Sequence, residues 1–481
     1  MDASSLPHPP YRLPFLGDVV GLNPRTPLQS SMWMLSGLGP IAVRRLLGTD
    51  IVMVGGADLV AELNDETRFA KNTGLHIYAL RQIVGDALFT ADNDEPNWQL
   101  AHDILMPAFT REAMLGYHAT MLAVARQLLA RWDTAARRQQ HVDVSADMTR
   151  MTLETIGRTG FGYRFDAFDR DRPHPFVTAM NRTLRYGNFP DSRWLAPVRR
   201  AVAGSARRHR ADVALLERTV DDVIAARLAG ATSETPDLLD RMLHSAHPDT
   251  GARLDPVNVR QQIITFVIAG HETTSGALSF ALYYLTAHPQ VMARAQAEVD
   301  ALWGHAEDPE PTFADIARLR YVRAVLDEAL RLWPTVPAYL REARTDTVLG
   351  GRYRMRQGDW AVVLLPLAHR DPTVWPEPDR FDPDRFAPGK AKARPPHVYK
   401  PFGTGQRACI GRQFALHEAV LTLGLLLHRY DLTPTEAYRL QIAETLTLKP
   451  RGFGLQPRRR QHLSRSVPTT SPLSNADWDA V

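Results

Sequence analysis

Residues 260–287, "RQQIITFVIAGHETTSGALSFALYYLTA", run 28 residues without a proline and stop at "HPQ". A helix of that length reaches roughly 40 Å, enough to cross a whole domain. Apolar on nearly every side, it has to be buried, so the rest of the chain must wrap around it. Gln261, Gln262, His271 and Glu272 interrupt the apolar content, which argues against a membrane span.

The flanking sequence agrees with a mainly helical, α+β class fold. Residues 113–136, 320–333 and 412–430 repeat apolar positions at three- and four-residue spacing, and residues 59–243 are mostly helical in pattern. Residues 38–56 and 336–364 are β-branched pieces between glycine turns, and "ETLTLKPRGFGLQP" reads as strands. Small β-sheets are therefore expected near both ends. A proline-rich loop occupies 371–396. Neither a linker nor a repeat interrupts the chain, and 44% of its 481 residues are apolar. This predicts one large domain over 1–457 and a polar, disordered tail over 458–481.

Charge and cysteine usage exclude several classes. Fifty-seven basic and 53 acidic residues leave a formal charge of +4, no argument for nucleic acid. The N-terminus, "MDASSLPHPPYRLPFLGD", has no basic segment followed by an apolar run, so neither a signal peptide nor a membrane anchor is expected. One cysteine excludes an internal disulfide and suits a reducing compartment. A soluble, cytoplasmic monomer follows as the expectation.

That cysteine, Cys409, lies in "FGTGQRACIG" (402–411). A lone cysteine is ordinarily a buried small hydrophobe. Here Gly403 and Gly405 permit a tight turn that aims N–H groups at the sulfur, and a helix begins just beyond, which favours thiolate. Gly411 leaves room for a flat ligand, and Arg407 can reach an anionic edge of it. A zinc site would need further Cys or His at short spacing. A single thiolate on a flat macrocycle fits the pattern.

At these residues the chain resembles the cytochromes P450, whose haem-binding loop reads Phe-Gly-x-Gly-x-Arg-x-Cys-x-Gly. "EALR" (Glu328, Arg331) resembles the family's Glu-x-x-Arg pair, and "PDRF" supplies Arg385, which the resemblance places with that pair in a structural ion network. "NWQLAHDILMPAF", "DMTRMTLETIG", "AGHETTSGALSF" and "KPFGTGQRACIGRQFALHEA" are similar to the haem domain of the self-sufficient bacterial fatty-acid hydroxylases. The resemblance implies haem b between a long central helix and the cysteine loop, its iron ligated by Cys409, with Phe402, Gly403 and Arg407 in the binding loop. It implies Trp98 and His102 at the haem propionates, and Phe89 and Ala269 lining the substrate pocket. Ala269, Glu272 and Thr273 would serve oxygen activation, Thr273 as the hydroxyl and Glu272 as the ionisable group, with Thr274 as second choice.

The implied activity is a haem-thiolate monooxygenase that hydroxylates or epoxidises an apolar substrate, a fatty acid, fatty acyl group or lipophilic metabolite. Two alternatives stay open: a peroxide-driven peroxygenase and a non-catalytic haem sensor or carrier. The resembling enzymes continue into a flavin reductase and this chain stops at Val481, so either a separate electron donor, a ferredoxin or flavodoxin with its reductase, is expected, or the chain is only a haem domain. The relatives hold the fatty-acid carboxylate with an Arg and a Tyr, and a gapless reading puts Thr49 and Met53 there. Arg193, Arg199, Arg200, Arg207, Arg208 and Arg210 form a basic cluster that is either a solvated helix face or a docking patch for an acidic carrier protein or anionic substrate.

Overall fold

The structure, a computed structural model, describes residues 6–461 except 24, 188–199, 201–203, 231–236, 305 and 436–437. The chain divides into two compact units: the described residues up to Lys71 with Leu129–Ala146 and those from Thr274 onward, and Asn72–Leu128 with Asp147–Thr273. The sequence leads instead to one domain. Three of the divisions fall inside uninterrupted helices, Arg111–Arg137, Val144–Phe161 and Pro256–Ala287, so no linker composition marks them.

The first unit holds the described sheets. Strands β1 (Ile41–Leu46) and β2 (Thr49–Val54) form a hairpin in the register Ile41↔Val54 to Leu46↔Thr49. With β3 (Phe69–Asn72), β5 (Ala338–Ala343) and β8 (Trp360–Leu364) they make a five-stranded sheet of order β1-β2-β8-β5-β3. Its β2–β8 pair is parallel, Val52 opposite Ala361. Ile41, Val43, Val52, Val54, Leu63 and Phe69 are buried in one cluster against it, as alternation along half-buried strands requires. Strand β4 (Val142–Asp143) joins β9 (Tyr430–Pro434) and a last strand, Gly454–Arg459, in a second sheet.

The second unit is helical over its described length, with Pro96–Leu105, Val144–Phe161, Pro175–Gly187 and Ala206–Leu228 beside the first half of Pro256–Ala287. That helix is 32 residues long, four longer at its start than the proline-free run. Pro256 opens it, where a missing N–H costs nothing. Asp255 Oδ1 accepts from Val257 N (2.9 Å) and Asn258 N (3.0 Å) and caps it.

Two sequence expectations need correction. The boundary after 457 falls inside Gly454–Arg459, where Pro457, Arg458 and Arg459 pair with Leu432, Asp431 and Tyr430. Arg459 Nε lies 3.3 Å from Asp133, and Arg460 Nη2 lies 2.6 Å from Asp300. A run of arginines reads as a solvated tail until its distant carboxylates are in view. Residues 462–481, the rest of that expected tail, lie outside the described residues. Within 371–396, Pro383–Phe386 and Pro388–Ala393 are short helices rather than plain loop.

Candidate haem and oxygen-activation site

In the first unit, Phe402, Gly403, Arg407 and Cys409 share one tight loop. The Cys409 N–H donates to the Phe402 carbonyl (2.8 Å), and Ala408 N to the Gly405 carbonyl (3.1 Å). Gly403 and Gly405 have φ of +71° and +67°, a region closed to most side chains. A side chain at 405 would also collide with the Glu66 carboxylate, which accepts from Gln406 N at 3.1 Å. Glu66 stands 340 residues away in sequence, and nothing local announces it. Arg407 ends the short 3-10 turn Gly405–Arg407 and is half-buried.

Cys409 presents accessible surface, yet it lies deep enough in the surrounding protein that burial pushes its thiol up. The Gly411 N–H and the Arg412 charge pull the other way without winning. This corrects the expectation that the helix start alone favours thiolate. Desolvation outweighs it.

The loop rests on a buried ionic network of the same unit. Arg331 donates from Nε to Glu328 Oε2 (2.6 Å) and from Nη2 to Oε1 (2.8 Å), and neither side chain is exposed. Arg385 Nε lies 3.4 Å from Glu328 Oε1, so the three residues grouped from sequence meet. Arg331 Nη1 also donates to the carbonyls of His369 (2.9 Å) and Pro378 (2.8 Å). His369 Nε2 accepts from Lys400 N at 3.0 Å, two residues before the cysteine loop. Its Nδ1 then carries the proton and faces the Arg331 carbonyl at 3.3 Å. Burial, with Arg331 adding to it, pushes His369 down to about 3, so the ring stays neutral. A half-satisfied network of this kind would be costly, which is why so many carbonyls converge on one guanidinium.

In the second unit, Ala269, Glu272 and Thr273 lie on Pro256–Ala287. Ile263, Ile264, Val267 and Ile268 are buried, whereas Ala269 is exposed and Thr273 partly so. An accessible notch thus opens in the middle of a buried helix. The Thr273 hydroxyl donates to the Ala269 carbonyl at 2.7 Å, the usual resting bond of a helical threonine. Its oxygen keeps lone-pair capacity toward the notch. Thr274 is buried (3% exposed) and does not share the notch. His271, set aside in the sequence, is fully buried; its ring bonds the Val267 carbonyl and approaches Glu272.

Trp98 and His102 stack on Pro96–Leu105 with ring centroids 5.0 Å apart. Phe89 is half-buried in the turn beside Leu88, whose N–H donates to Gln262 Oε1 on the long helix (3.1 Å). Of the two residues matched to a carboxylate clamp, Thr49 is exposed, but Met53 is buried against Met34, Leu35, Ala42 and Leu364. Position 53 belongs to the core. Of the basic cluster, Arg193 and Arg199 lie outside the described residues; Arg200, Arg207, Arg208 and Arg210 are exposed.

The cysteine loop of the first unit by itself fits a haem: an accessible lone thiol sits where side chains are excluded at the turns. No described helix is long and apolar enough to cross a membrane.

The cytochrome P450 family pattern matches residues 7–463. The chain is 43% identical over 478 residues to a bifunctional cytochrome P450/NADPH–P450 reductase of Bacillus cereus, covering 98% of this chain and 44% of that protein. It is 44% identical over 442 residues to one from Bacillus subtilis (92% and 41%). A self-sufficient cytochrome P450 monooxygenase of Phanerodontia chrysosporium is 37% identical over 477 residues (98% and 44%). The chain therefore belongs to the cytochrome P450 family, haem-thiolate proteins whose iron is held by a cysteine. It spans less than half the length of these curated relatives.

Proposed function

We propose that the chain is the haem-thiolate catalytic part of a monooxygenase acting on an apolar, fatty-acyl-like substrate. The observation that carries this is Cys409, an accessible lone thiol in a glycine-shaped loop. Cys409 would ligate the iron, and Phe402, Gly403 and Arg407 would hold the haem on that side, with Trp98 and His102 at its carboxylates. Haem, when bound, supplies the binding and two-electron reduction of dioxygen, one oxygen atom going into a C–H bond or alkene and the other to water. Thr273 would hold a proton at its Oγ1 and Glu272 would resupply it. Ala269 would leave the space and, with Phe89, line the substrate pocket. Electrons would come from a reductase, on a separate polypeptide or in a continuation of this chain.

Replacing Cys409 with Ser should abolish the thiolate signature in the carbon-monoxide difference spectrum of the reduced protein. An unchanged spectrum overturns the ligand assignment. Turnover with reductant and oxygen, against peroxide alone, separates the monooxygenase from a peroxygenase, and turnover with neither points to a sensor or carrier. The substrate class is tested at Thr49. Thr49→Arg should tighten long-chain fatty-acid binding by about tenfold, the lower end for a charge-assisted contact at an exposed position. Equal affinity would remove position 49 from the substrate path.

A further inference from the structure

Asp103, next to His102 on Pro96–Leu105, receives three side chains of the second unit. Its Oδ1 faces His102 Nδ1 at 3.1 Å, and its Oδ2 faces His247 Nε2 at 3.1 Å and Gln99 Nε2 at 2.7 Å. His247 comes from the loop 245–255, which folds around its ring: Nδ1 accepts from Asp249 N (3.2 Å) and Thr250 N (3.3 Å). Asp249 lies on the same loop, and Arg253 there is turned to the His244 carbonyl (2.9 Å). Burial works to raise the Asp103 carboxyl, but hydrogen bonds from Gln99, His102 and His247 outweigh it and hold it below the usual range.

These contacts assign every proton. An ionised carboxylate only accepts, so each ring nitrogen facing it carries hydrogen. His247 is thereby the neutral tautomer with hydrogen on Nε2. His102 carries its hydrogen on Nδ1, and in the neutral ring its Nε2 is a bare lone pair. A bare lone pair repels a carboxylate. Resting on the reading that His102 meets a haem carboxylate, we propose that Asp103 is a positioning residue: it fixes His102 so that Nε2 donates to that carboxylate only when the ring binds a second proton. Haem retention and haem reduction potential then follow the protonation of His102.

The substitution Asp103→Asn separates this from a merely structural role. Gln99 and His247 are both obliged to donate at the Oδ2 position, so the amide oxygen settles there and its NH2 faces His102. His102 Nδ1 then becomes the acceptor, the hydrogen moves to Nε2, and the neutral ring donates without a second proton. On the haem-loaded protein, the wild-type midpoint potential should fall as rising pH takes the second proton from the ring, and haem transfer to apomyoglobin should quicken by about tenfold. Asp103→Asn should flatten both profiles while keeping haem at alkaline pH; His102→Gln, a neutral donor, should flatten them too. The haem carboxylates titrate in all three proteins, so it is the part of the slope lost in Asp103→Asn and His102→Gln that reports His102. A flat wild-type profile, or an unchanged slope in Asp103→Asn, overturns the inference while the contact stands. If His102→Ala alters neither retention nor potential, the contact itself is absent and both fall.

Discussion

His271 Nε2 lies 3.2 Å from Glu272 Oε1, while the ring's other nitrogen is held by the Val267 carbonyl at 2.5 Å. A carbonyl only accepts, so Nδ1 carries hydrogen and Nε2 turns its lone pair toward the carboxyl group. Nε2 has no aligned hydrogen-bond partner among the described residues. Two lone pairs that close repel, so the ring and the carboxyl group are coupled through this contact.

His271→Phe should therefore disturb proton supply while sparing the haem. A general acid–base group contributes about 10²–10⁴ in rate, and losing its partner should cost about tenfold in product formed per reductant oxidised. An infrared carboxyl band that disappears in Glu272→Gln should also shift in His271→Phe. Unchanged coupling and an unchanged band would make His271 plain core.

Thr273→Ala should leave haem incorporation and substrate binding nearly intact, because neither uses the hydroxyl. Reductant and oxygen should still be consumed, with peroxide accumulating in place of product. Thr274→Ala should keep its coupling, since Thr274 is buried away from the notch. Measuring product per reductant in both variants decides between the two positions, and uncoupling in Thr274→Ala alone would transfer the role.

His369 should make the cysteine loop acid-labile. Its folded pKa of about 3 lies below the ordinary imidazole value of 6.5, so the neutral ring is the folded form. The stability it confers is complete above pH 6.5 and is lost as pH falls toward 3. The shift corresponds to at most about 5 kcal/mol. His369→Gln should be less stable near pH 7 by about 1–2 kcal/mol, yet lose less on acidification to pH 4. Denaturation followed at the haem absorbance across pH tests this, and parallel profiles would contradict it.

Truncation after Pro457 should be less stable than truncation after Gln461. The shorter chain loses Arg459 beside Asp133 and Arg460 on Asp300. Burial pushes the Asp300 carboxyl up, but hydrogen bonds from His428 and Arg460 outweigh it and hold it at about 2. That stability is present above pH 3.8 and fades as pH falls toward 2. Allowing for solvent screening, the Arg460 contact is worth about 1–2 kcal/mol at neutral pH. Equal thermal midpoints of the two truncations at pH 7 would return residues 458–461 to the tail.

What the sequence determined by itself is what short-range pattern encodes. The long helix, the β1–β2 hairpin, the helices 111–137, 320–332 and 412–429, and the glycine turn around Cys409 follow from period, proline and glycine within a few residues. Glu328 and Arg331 were legible through the family resemblance, because an i, i+3 pair on one helix by itself reads as a solvated ion pair. Tertiary structure alone decided the partners. Glu66 against Gln406, His369 against Lys400 and His247 against Asp103 join positions 340, 31 and 144 residues apart, and no local pattern records which buried donor will meet which acceptor. It also decided that burial pushes the Cys409 thiol up, because desolvation depends on everything packed around a sulfur. The inward side of Met53 and the paired arginines 459 and 460 have the same cause: burial and charge pairing belong to the assembled chain, and a sequence window cannot contain them.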